Sequence, residues 1–173
     1  MSVQVPARPP HAGLLDWLEG NGIEHEVHEH AVSYTARETA HLEHVDLRAF
    51  AKTVGVLADD GRRALLVVDA ADMVDLGRAR RAMNAGHVRL LTESELAELV
   101  PSCDVGTIPP VPQLFGLPVY ADYAVRDDEQ ITFCAGSHRW CVRVDRDAWE
   151  RAAGVTYADL AEERDLRPRW ARS

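Results

Sequence analysis

The chain has 173 residues and a mass of 19.2 kDa, the size of one domain that can bury its own core without disulfides or structural metal. The formal net charge of −9 argues against broad duplex binding, and so against DNA as a partner, because such binding neutralises many phosphates. No stretch approaches the roughly 18 unbroken apolar residues of a membrane span, so we expect no membrane partner. Residues 1–10 lack the apolar core of a signal peptide, and three cysteines without metal-type spacing predict reduced thiols in a cytoplasmic protein.

Short helices and strands alternate irregularly through the first hundred residues, after a lead-in over residues 1–12 that we expect to be disordered. Hydrophobic periodicity predicts helices over 14–21, 35–43, 76–85 and 92–100, and strands over 23–30, 50–58, 63–70 and 88–91. Thr35 with Glu38, and Thr92 with Glu95, have the spacing of a capping box, which opens a helix. Asp59-Asp60-Gly61 predicts a hairpin turn between two of the strands.

The rest of the chain predicts more strands than helices. Residues 101–118 contain five prolines and two glycines and predict an irregular segment. Strands are predicted over 119–122, 130–134 and 139–144, and short helices from Asp145 and from Thr156, the second within a helical C-terminal extension over 153–173. Because the order is not a regular βαβ repeat, the sequence predicts an α+β domain. We expect a mixed, largely antiparallel sheet, which could close like a barrel, with short helices around it.

Lysine usage singles out one residue. Of the 19 Lys and Arg residues only Lys52 is a lysine, and it lies inside an apolar run. In a strand over 50–58 it shares one face with Phe50, Val54 and Val56. A lysine on such a face either extends its ammonium to the edge of the sheet or sits in a pocket with an anion. The residues leave both interpretations open, although a compact ammonium differs from a guanidinium where space is tight.

Two loops could present polar groups to a ligand. Gly106-Thr107-Ile108-Pro109-Pro110 combines a glycine with two residues of fixed φ, and such a rigid loop can direct the N–H groups of Thr107 and Ile108 at a carbonyl oxygen. The alternative is a plain connector. Ala135-Gly136-Ser137-His138 lies between two predicted strands and either places the His138 imidazole at the rim of the sheet or is only a tight turn.

A group of histidines raises the question of a metal site: His25, His28, His30, His41 and His44. His28 and His30 would share one face of a strand, but no HExxH pattern occurs, and the interleaved glutamates are typical of a solvated strand. The sequence also has no G-x-S-x-G elbow and no glycine-rich phosphate loop. We therefore predict no metal ligand and no cofactor.

The order of these segments resembles one family, the YbaK / prolyl-tRNA synthetase-associated family of aminoacyl-tRNA editing domains. The resemblance covers roughly residues 14–152 and is most specific in the Lys-Thr strand, the Gly-x-x-x-Pro loop and the Gly-Ser-His turn, in that order. The matching segments are Glu29-His30, Tyr34-Thr35-Ala36, Ala51-Lys52-Thr53-Val54, Leu65-Leu66-Val67-Val68, Val74-Asp75-Leu76, Val88-Arg89-Leu90, Gly106 to Pro110, Val119-Tyr120-Ala121-Asp122 and Ala135 to His138.

The resemblance implies an editing domain over residues 13–152 and a deacylase. Such enzymes hydrolyse the ester between a wrong amino acid and the 3′ end of a tRNA, most often the tRNA for proline. Lys52 would hold the phosphate or ribose region of the terminal nucleotide. The loop would present backbone groups to the aminoacyl moiety, and Gly136 to His138 would line the adenosine or amino-acid pocket. No metal is required, and the vicinal hydroxyl of the tRNA is thought to assist the attacking water.

The predicted site follows from this resemblance. Lys52, Gly106 and His138 are predicted as catalytic residues. The predicted substrate-binding residues are His30, Tyr34, Thr35, Thr107, Ile108, Pro109, Pro110, Asp122, Gly136 and Ser137. In a departure from many relatives, Val111 to Leu114 lengthen the loop before Phe115-Gly116, which leaves the lid of the pocket and the amino-acid preference open. A patch for the acceptor stem could form from Arg78, Arg80, Arg81 and Arg89, which are otherwise a solvated helix face.

The expected partners are the aminoacyl-tRNA 3′ end and, as a further candidate, an aminoacyl-tRNA synthetase. A small wrong amino acid, such as alanine, serine or cysteine, is the expected cargo. Two other functions stay open. One is a noncatalytic module of the same fold that binds a synthetase or an aminoacyl or nucleotide ligand. The other is a metal-dependent hydrolase that uses His28, His30, His41 or His44.

Overall fold

The structure, a computed structural model, describes residues 8–162. Its helices are α1 (Ala12–Gly20), α2 (Ala36–Leu42), α3 (Leu76–Ala82), α4 (Glu93–Leu99), α5 (Pro112–Phe115) and α6 (Arg146–Ala153). Its strands are β1 (His25–Glu29), β2 (Ala51–Ala58), β3 (Arg63–Asp69), β4 (Val88–Leu90), β5 (Val119–Asp122), β6 (Gln130–Ser137), β7 (Trp140–Asp145) and β8 (Thr156–Ala158). A 3-10 helix, Tyr123–Asp127, follows β5. None of the helices within the described range has the length and apolar character that crossing a membrane requires.

The strands form two open sheets. One is antiparallel with the order β1-β7-β6, and the other has the order β4-β2-β3-β5-β8. In the second sheet β2 pairs antiparallel with β3 and β4, whereas β5 pairs parallel with β3 and β8. The sheets meet at a bridge between Phe50 and Thr132. The predicted α+β class with a mixed, largely antiparallel arrangement is confirmed, but the described strands do not close into a barrel.

Both faces of the five-stranded sheet are covered, which explains why β3 is apolar at consecutive positions. Leu65 and Val67 belong to the core that includes residues of α1, of the three-stranded sheet and of α6. Leu66 and Val68 point to the opposite face and pack in a second core with Ala79 of α3. All four β3 side chains are fully buried, so this strand fixes the central position of the sheet between two layers.

The capping residues fix the starts of α2 and α4. Thr92 accepts a hydrogen bond from the Glu95 N–H, and the Glu95 carboxylate accepts one from the Thr92 N–H, so this predicted capping box is complete. Thr35 likewise accepts from the Glu38 N–H at 3.1 Å. The Glu38 carboxylate, however, accepts from the Tyr34 N–H at 3.0 Å, so the predicted box at Thr35 is only half formed.

Three predicted elements differ in the structure. The helix predicted over 76–85 ends at Ala82, and Asn84 beyond it has a φ of +51°. Thr156 does not open a helix, because Thr156–Ala158 pairs with β5 as strand β8. Residues 163–173 of the predicted helical extension lie outside the described residues. Within the segment predicted to be irregular, Pro112–Phe115 forms α5, with a proline in its first turn.

Candidate active site

Four segments that are distant in sequence line one pocket: residues 33–39 around the start of α2, the start of β2, the loop over 106–108, and the end of β6 with the turn at His138. The pocket is narrow: the volume available to the centre of a water-sized sphere is about 20 Å³, although the empty space between its walls, open solvent included, is about 350 Å³. The buried side chains of Thr39 and Phe50 form part of its wall. Of the predicted site residues, the pocket brings together Lys52, Gly106, His138, Tyr34, Thr35, Thr107 and Ile108.

Lys52 lies half-buried in the pocket wall at the start of β2. Its Nζ donates a hydrogen bond of 2.6 Å to the Asp72 carbonyl oxygen. Burial lowers the pKa of Lys52, the positive charge of Arg37 lowers it further, and the charge of Asp72 opposes the shift. Lys52 also lines an adjacent groove together with Thr35 and Arg37. An anion bound beside the ammonium would offset the desolvation, which makes this position suitable for a phosphate or a carboxylate.

The 106–108 loop has unpaired N–H groups, although they are not the pair that the sequence predicted. The Thr107 N–H donates to the Asp104 carbonyl oxygen at 3.1 Å, and the Thr107 hydroxyl donates to the same oxygen at 2.6 Å. The Thr107 N–H is therefore engaged within the loop in this structure, unlike the free donor that the sequence predicted. The N–H groups of Gly106 and Ile108 have no acceptor within residues 8–162. Gly106 has a φ of +84°, which glycine adopts without steric cost.

The Gly-Ser-His turn contains a β-bulge. Strand β6 extends through Ser137, and its pairing with β7 shifts register between Cys134 and Ser137. Gly136 has a φ of +79° at this bulge. His138 follows, with its ring centroid 4.8 Å from that of Tyr34, and the Tyr34 side chain is exposed. The bulge thus places an aromatic pair at the rim of the pocket.

Asp104 connects the loop to the turn, and sequence analysis did not identify it. Its N–H donates to the Gly136 carbonyl oxygen at 3.0 Å, and its Oδ2 accepts from the His138 N–H at 3.2 Å. The Gly136 N–H in turn donates to the Thr107 carbonyl oxygen at 2.9 Å. Aspartate is common in loops of every kind, so the sequence carried no signal that distinguished this residue.

Residues that precede α1 pack against the same turn. The His11 N–H donates to the Ala135 carbonyl oxygen at 2.8 Å. The Ser137 hydroxyl donates to the Arg8 carbonyl oxygen, and Arg8 Nε lies 3.1 Å from Asp104 Oδ1. Residues 8–12 were predicted to belong to a disordered lead-in, and the structure gives them these defined contacts instead. Residues 1–7 of the predicted lead-in lie outside the described residues.

Six of the predicted substrate-binding residues do not line the pocket: His30, Pro109, Pro110, Asp122, Gly136 and Ser137. Asp122 has a structural role, because its carboxylate accepts from the N–H groups of Ala124, Leu160 and Ala161. Gly136 and Ser137 support the pocket indirectly, through their hydrogen bonds with Thr107, Asp104 and Arg8. The His30 imidazole is buried near Cys141 and Glu43 rather than at the pocket.

The inserted segment Val111 to Leu114 does not line the pocket either. Val111 is fully buried in the core, and Gln113 Nε2 donates to the Ala152 carbonyl oxygen of α6 at 3.1 Å. The Trp149 Nε1–H of the same helix donates to the Pro110 carbonyl oxygen at 2.9 Å. The longer loop is therefore docked on α6 and forms no part of the pocket wall within the described residues.

The candidate basic patch is largely engaged in internal contacts. Arg78 NH1 lies 2.7 Å from Asp159 Oδ1, and Arg89 NH1 lies 2.7 Å from Glu95 Oε1. Arg80 NH1 donates to the Ala85 carbonyl oxygen at 3.5 Å. For Arg78, Arg80 and Arg89 these contacts favour the interpretation as a solvated face.

The fold and the pocket define an α+β domain with a candidate site for ester hydrolysis. The chain belongs to the aminoacyl-tRNA editing domain family, whose model matches residues 30–152. The general activity of this family is the deacylation of aminoacyl-tRNA. Comparison with the curated proteins gives no match.

Solved structures share the fold across most of the chain. A candidate trans-editing enzyme for prolyl-tRNA synthetase is 25% identical with a TM-score of 0.76, over 90% of this chain and 99% of that chain. A hypothetical protein is 21% identical with a TM-score of 0.79, over 86% of this chain and 99% of that chain. A candidate signal transduction protein from Marinobacter aquaeolei is 17% identical with a TM-score of 0.67, over 87% of this chain but 30% of that chain. The predicted editing-domain fold is therefore confirmed.

Asp104→Ala is expected to lower kcat for deacylation about 10-fold with a smaller change in KM, because the loop and the His138 turn lose their shared carboxylate. Asp104→Asn keeps an oxygen that can accept from the His138 N–H, so we expect it to retain at least half of the wild-type kcat. Single-turnover deacylation measures both. Asp60→Ala is the matched control, because Asp60 lies in an exposed hairpin turn and pairs with Arg62. Equal kcat for Asp104→Ala and wild type would show that Asp104 does not position the site.

Proposed function

We propose that the protein is a trans-editing deacylase that hydrolyses the ester of a mischarged tRNA, with the tRNA for proline carrying alanine, serine or cysteine as its substrate. The observation that carries this proposal is that Lys52, Gly106, Ile108 and His138 line one pocket. The N–H groups of Gly106 and Ile108 have no acceptor within residues 8–162. Membership of the editing family and the likeness to the candidate trans-editing enzyme support it.

In the proposed complex the tRNA 3′ end enters the pocket between Lys52 and His138. The Lys52 ammonium makes a charge-assisted contact with the phosphate or ribose region of the terminal nucleotide. The exposed Tyr34 ring beside His138 offers a surface on which the terminal adenine stacks, since every nucleobase presents a π-face. An acidic protein can bind in this way because it contacts the end of the tRNA and not the length of a duplex.

The proposed reaction is the attack of water on the ester carbonyl carbon. The carbonyl oxygen becomes an oxyanion, which the N–H groups of Gly106 and Ile108 stabilise at about 3 kcal/mol per donor. The bond from the carbonyl carbon to the ribose oxygen then breaks. The ribose oxygen takes up one proton of the attacking water, the other passes to solvent, and the amino acid leaves as a carboxylate. The vicinal hydroxyl of the tRNA assists the water, so the protein mainly positions the ester.

The pocket wall supports a preference for a small amino acid. Thr39 and Phe50 are buried, and Cys134 lies beside them. Alanine, serine and cysteine differ only by a hydroxyl or a thiol on Cβ, and a pocket rejects such a small added group by only about 1–3 kcal/mol, so we expect graded rates among the three.

The test is a deacylation panel on tRNA for proline charged with alanine, serine, cysteine or proline. We expect at least one of the three wrong amino acids to be removed at least 10-fold faster than proline. The same amino acids on their own tRNAs report which tRNA is recognised. If wild-type protein binds these aminoacyl-tRNAs but accelerates none of the hydrolyses, the protein is the noncatalytic module and the proposal is wrong.

A further inference from the structure

A second group of side chains, away from the pocket lining, has the composition of a metal site. His30 follows β1, Glu43 caps the C-terminal end of α2, and Cys141 lies in β7. One ligand atom from each residue lies within 4.8 Å of the other two. Imidazole, carboxylate and thiolate together are donors that zinc accepts. This group, which we call the His30 cluster, lies where the end of α2 meets the paired strands β1 and β7.

The His30 imidazole is held in the form that binds metals. Its Nδ1 lies 2.7 Å from the Ala31 carbonyl oxygen, so Nδ1 carries the hydrogen and Nε2 keeps its lone pair. His30 exposes only 9% of its surface, and Nε2 has no hydrogen-bond partner within the described residues. A buried acceptor without a partner is costly, whereas a backbone carbonyl on one ring nitrogen and a metal on the other is the usual arrangement of a ligating histidine.

The two other members of the cluster are also largely buried. The Glu43 side chain is 7% exposed, and its Oε2 is held at 3.0 Å by His28 Nδ1, which orients the carboxylate. Cys141 is fully buried close to this carboxylate. A divalent cation would be bound by its thiolate, with the thiol proton displaced to solvent.

We propose that His30, Glu43 and Cys141 bind one zinc ion as a structural site. Zinc lies about 2.0–2.3 Å from each such donor, so side-chain movements of roughly 1 Å bring the three atoms together, with water as a fourth ligand. The ion would fix the end of α2 against β1 and β7. Because Thr35 and Thr39 at the start and middle of α2 line the pocket, the site would stabilise one pocket wall without contacting substrate.

The experiment measures zinc bound by the purified full-length chain after dialysis against metal-free buffer. We expect about one zinc per chain for wild type, and a rise in Tm of about 5 °C or more when free zinc exceeds Kd by 100-fold. Cobalt(II) substitution provides a direct signature, because a cysteine-ligated cobalt ion shows thiolate-to-metal charge transfer. Retention of less than a tenth of an ion per chain, with no zinc-dependent rise in Tm, contradicts the proposal.

Variants separate this site from adventitious binding and from folding defects. Cys141→Ser should lose the charge-transfer signal, and Glu43→Gln should weaken zinc binding at least 10-fold while leaving the buried thiol in place. His41→Ala and Cys103→Ser are matched controls, since His41 is exposed on α2 and Cys103 is a buried thiol in another part of the core. Unchanged zinc binding by both cluster variants would overturn the assignment. These readouts do not depend on deacylation, so the two proposals fail independently.

Discussion

Lys52→Met should lower kcat/KM for deacylation of the preferred mischarged tRNA by at least about 100-fold, which corresponds to about 3 kcal/mol of transition-state stabilisation. Methionine keeps the unbranched apolar stem of lysine and removes only the ammonium, so the strand and its packing are retained. We expect this loss because the ammonium of Lys52, which lines the pocket, would contact the terminal nucleotide. The chain has no other lysine to replace it, and its Nζ is held 2.6 Å from the Asp72 carbonyl oxygen. Steady-state deacylation with radiolabelled aminoacyl-tRNA measures the effect.

Lys52→Arg separates charge from shape. It keeps the positive charge but replaces a compact ammonium with a planar fork, so we expect activity to stay at least 10-fold below wild type. Arg151→Ala is the control for loss of a cation, because the Arg151 side chain is 74% exposed on α6. Activity of Lys52→Met within threefold of wild type would show that the ammonium has no part in the reaction.

Gly136→Ala should destabilise the protein by about 3 kcal/mol and abolish deacylation at 37 °C. The residue has a φ of +79°, which costs a residue with a Cβ about 1–2 kcal/mol. The added Cβ would also lie 3.1 Å from His11 Cβ and 3.2 Å from Cys103 Sγ, a crowding that adds about 1–3 kcal/mol. Activity is lost because a shift of the bulge moves His138 away from the pocket. Denaturant unfolding measures the change in the free energy of unfolding.

Gly61→Ala isolates the contribution of the backbone. Gly61 has a φ of +90° in the hairpin between β2 and β3, and a Cβ there meets nothing within 4 Å. We expect a loss of only about 1 kcal/mol with activity nearly unchanged. Equal destabilisation by the two substitutions would mean that the close contacts with His11 and Cys103 have no energetic effect.

Local patterns predicted most of the elements, because the helix starts and strands depend on neighbouring residues. The strand around Lys52 and the hairpin at Gly61 needed only alternation and a turn sequence. β8 could not be predicted in this way. Thr156 and Asp159 have the spacing of a helix start, and only the parallel pairing with β5 makes this segment a strand. Such pairing is a long-range contact that a local pattern does not contain.

The candidate site was predicted in outline and not in its supporting contacts. The family resemblance identified Lys52, Gly106 and His138, which now line one pocket. The Thr107 N–H was predicted to be available, but its bond to the Asp104 carbonyl depends on how the loop folds back. The tautomer of His30 likewise depends on the position of the Ala31 carbonyl, which a count of histidines in the sequence does not reveal.

The contacts of Arg8 and His11 connect the segment upstream of α1 to the turn and the aspartate that support the pocket. A shortened version that starts at α1 would leave the buried Ser137 hydroxyl without its carbonyl acceptor and Asp104 without its guanidinium. We therefore expect changes in residues 8–11 to alter the proposed deacylation through Asp104 and the 135–138 turn, although neither Arg8 nor His11 lines the pocket. A tag fused directly before Arg8 is therefore expected to disturb the contacts of Arg8 with Ser137 and Asp104.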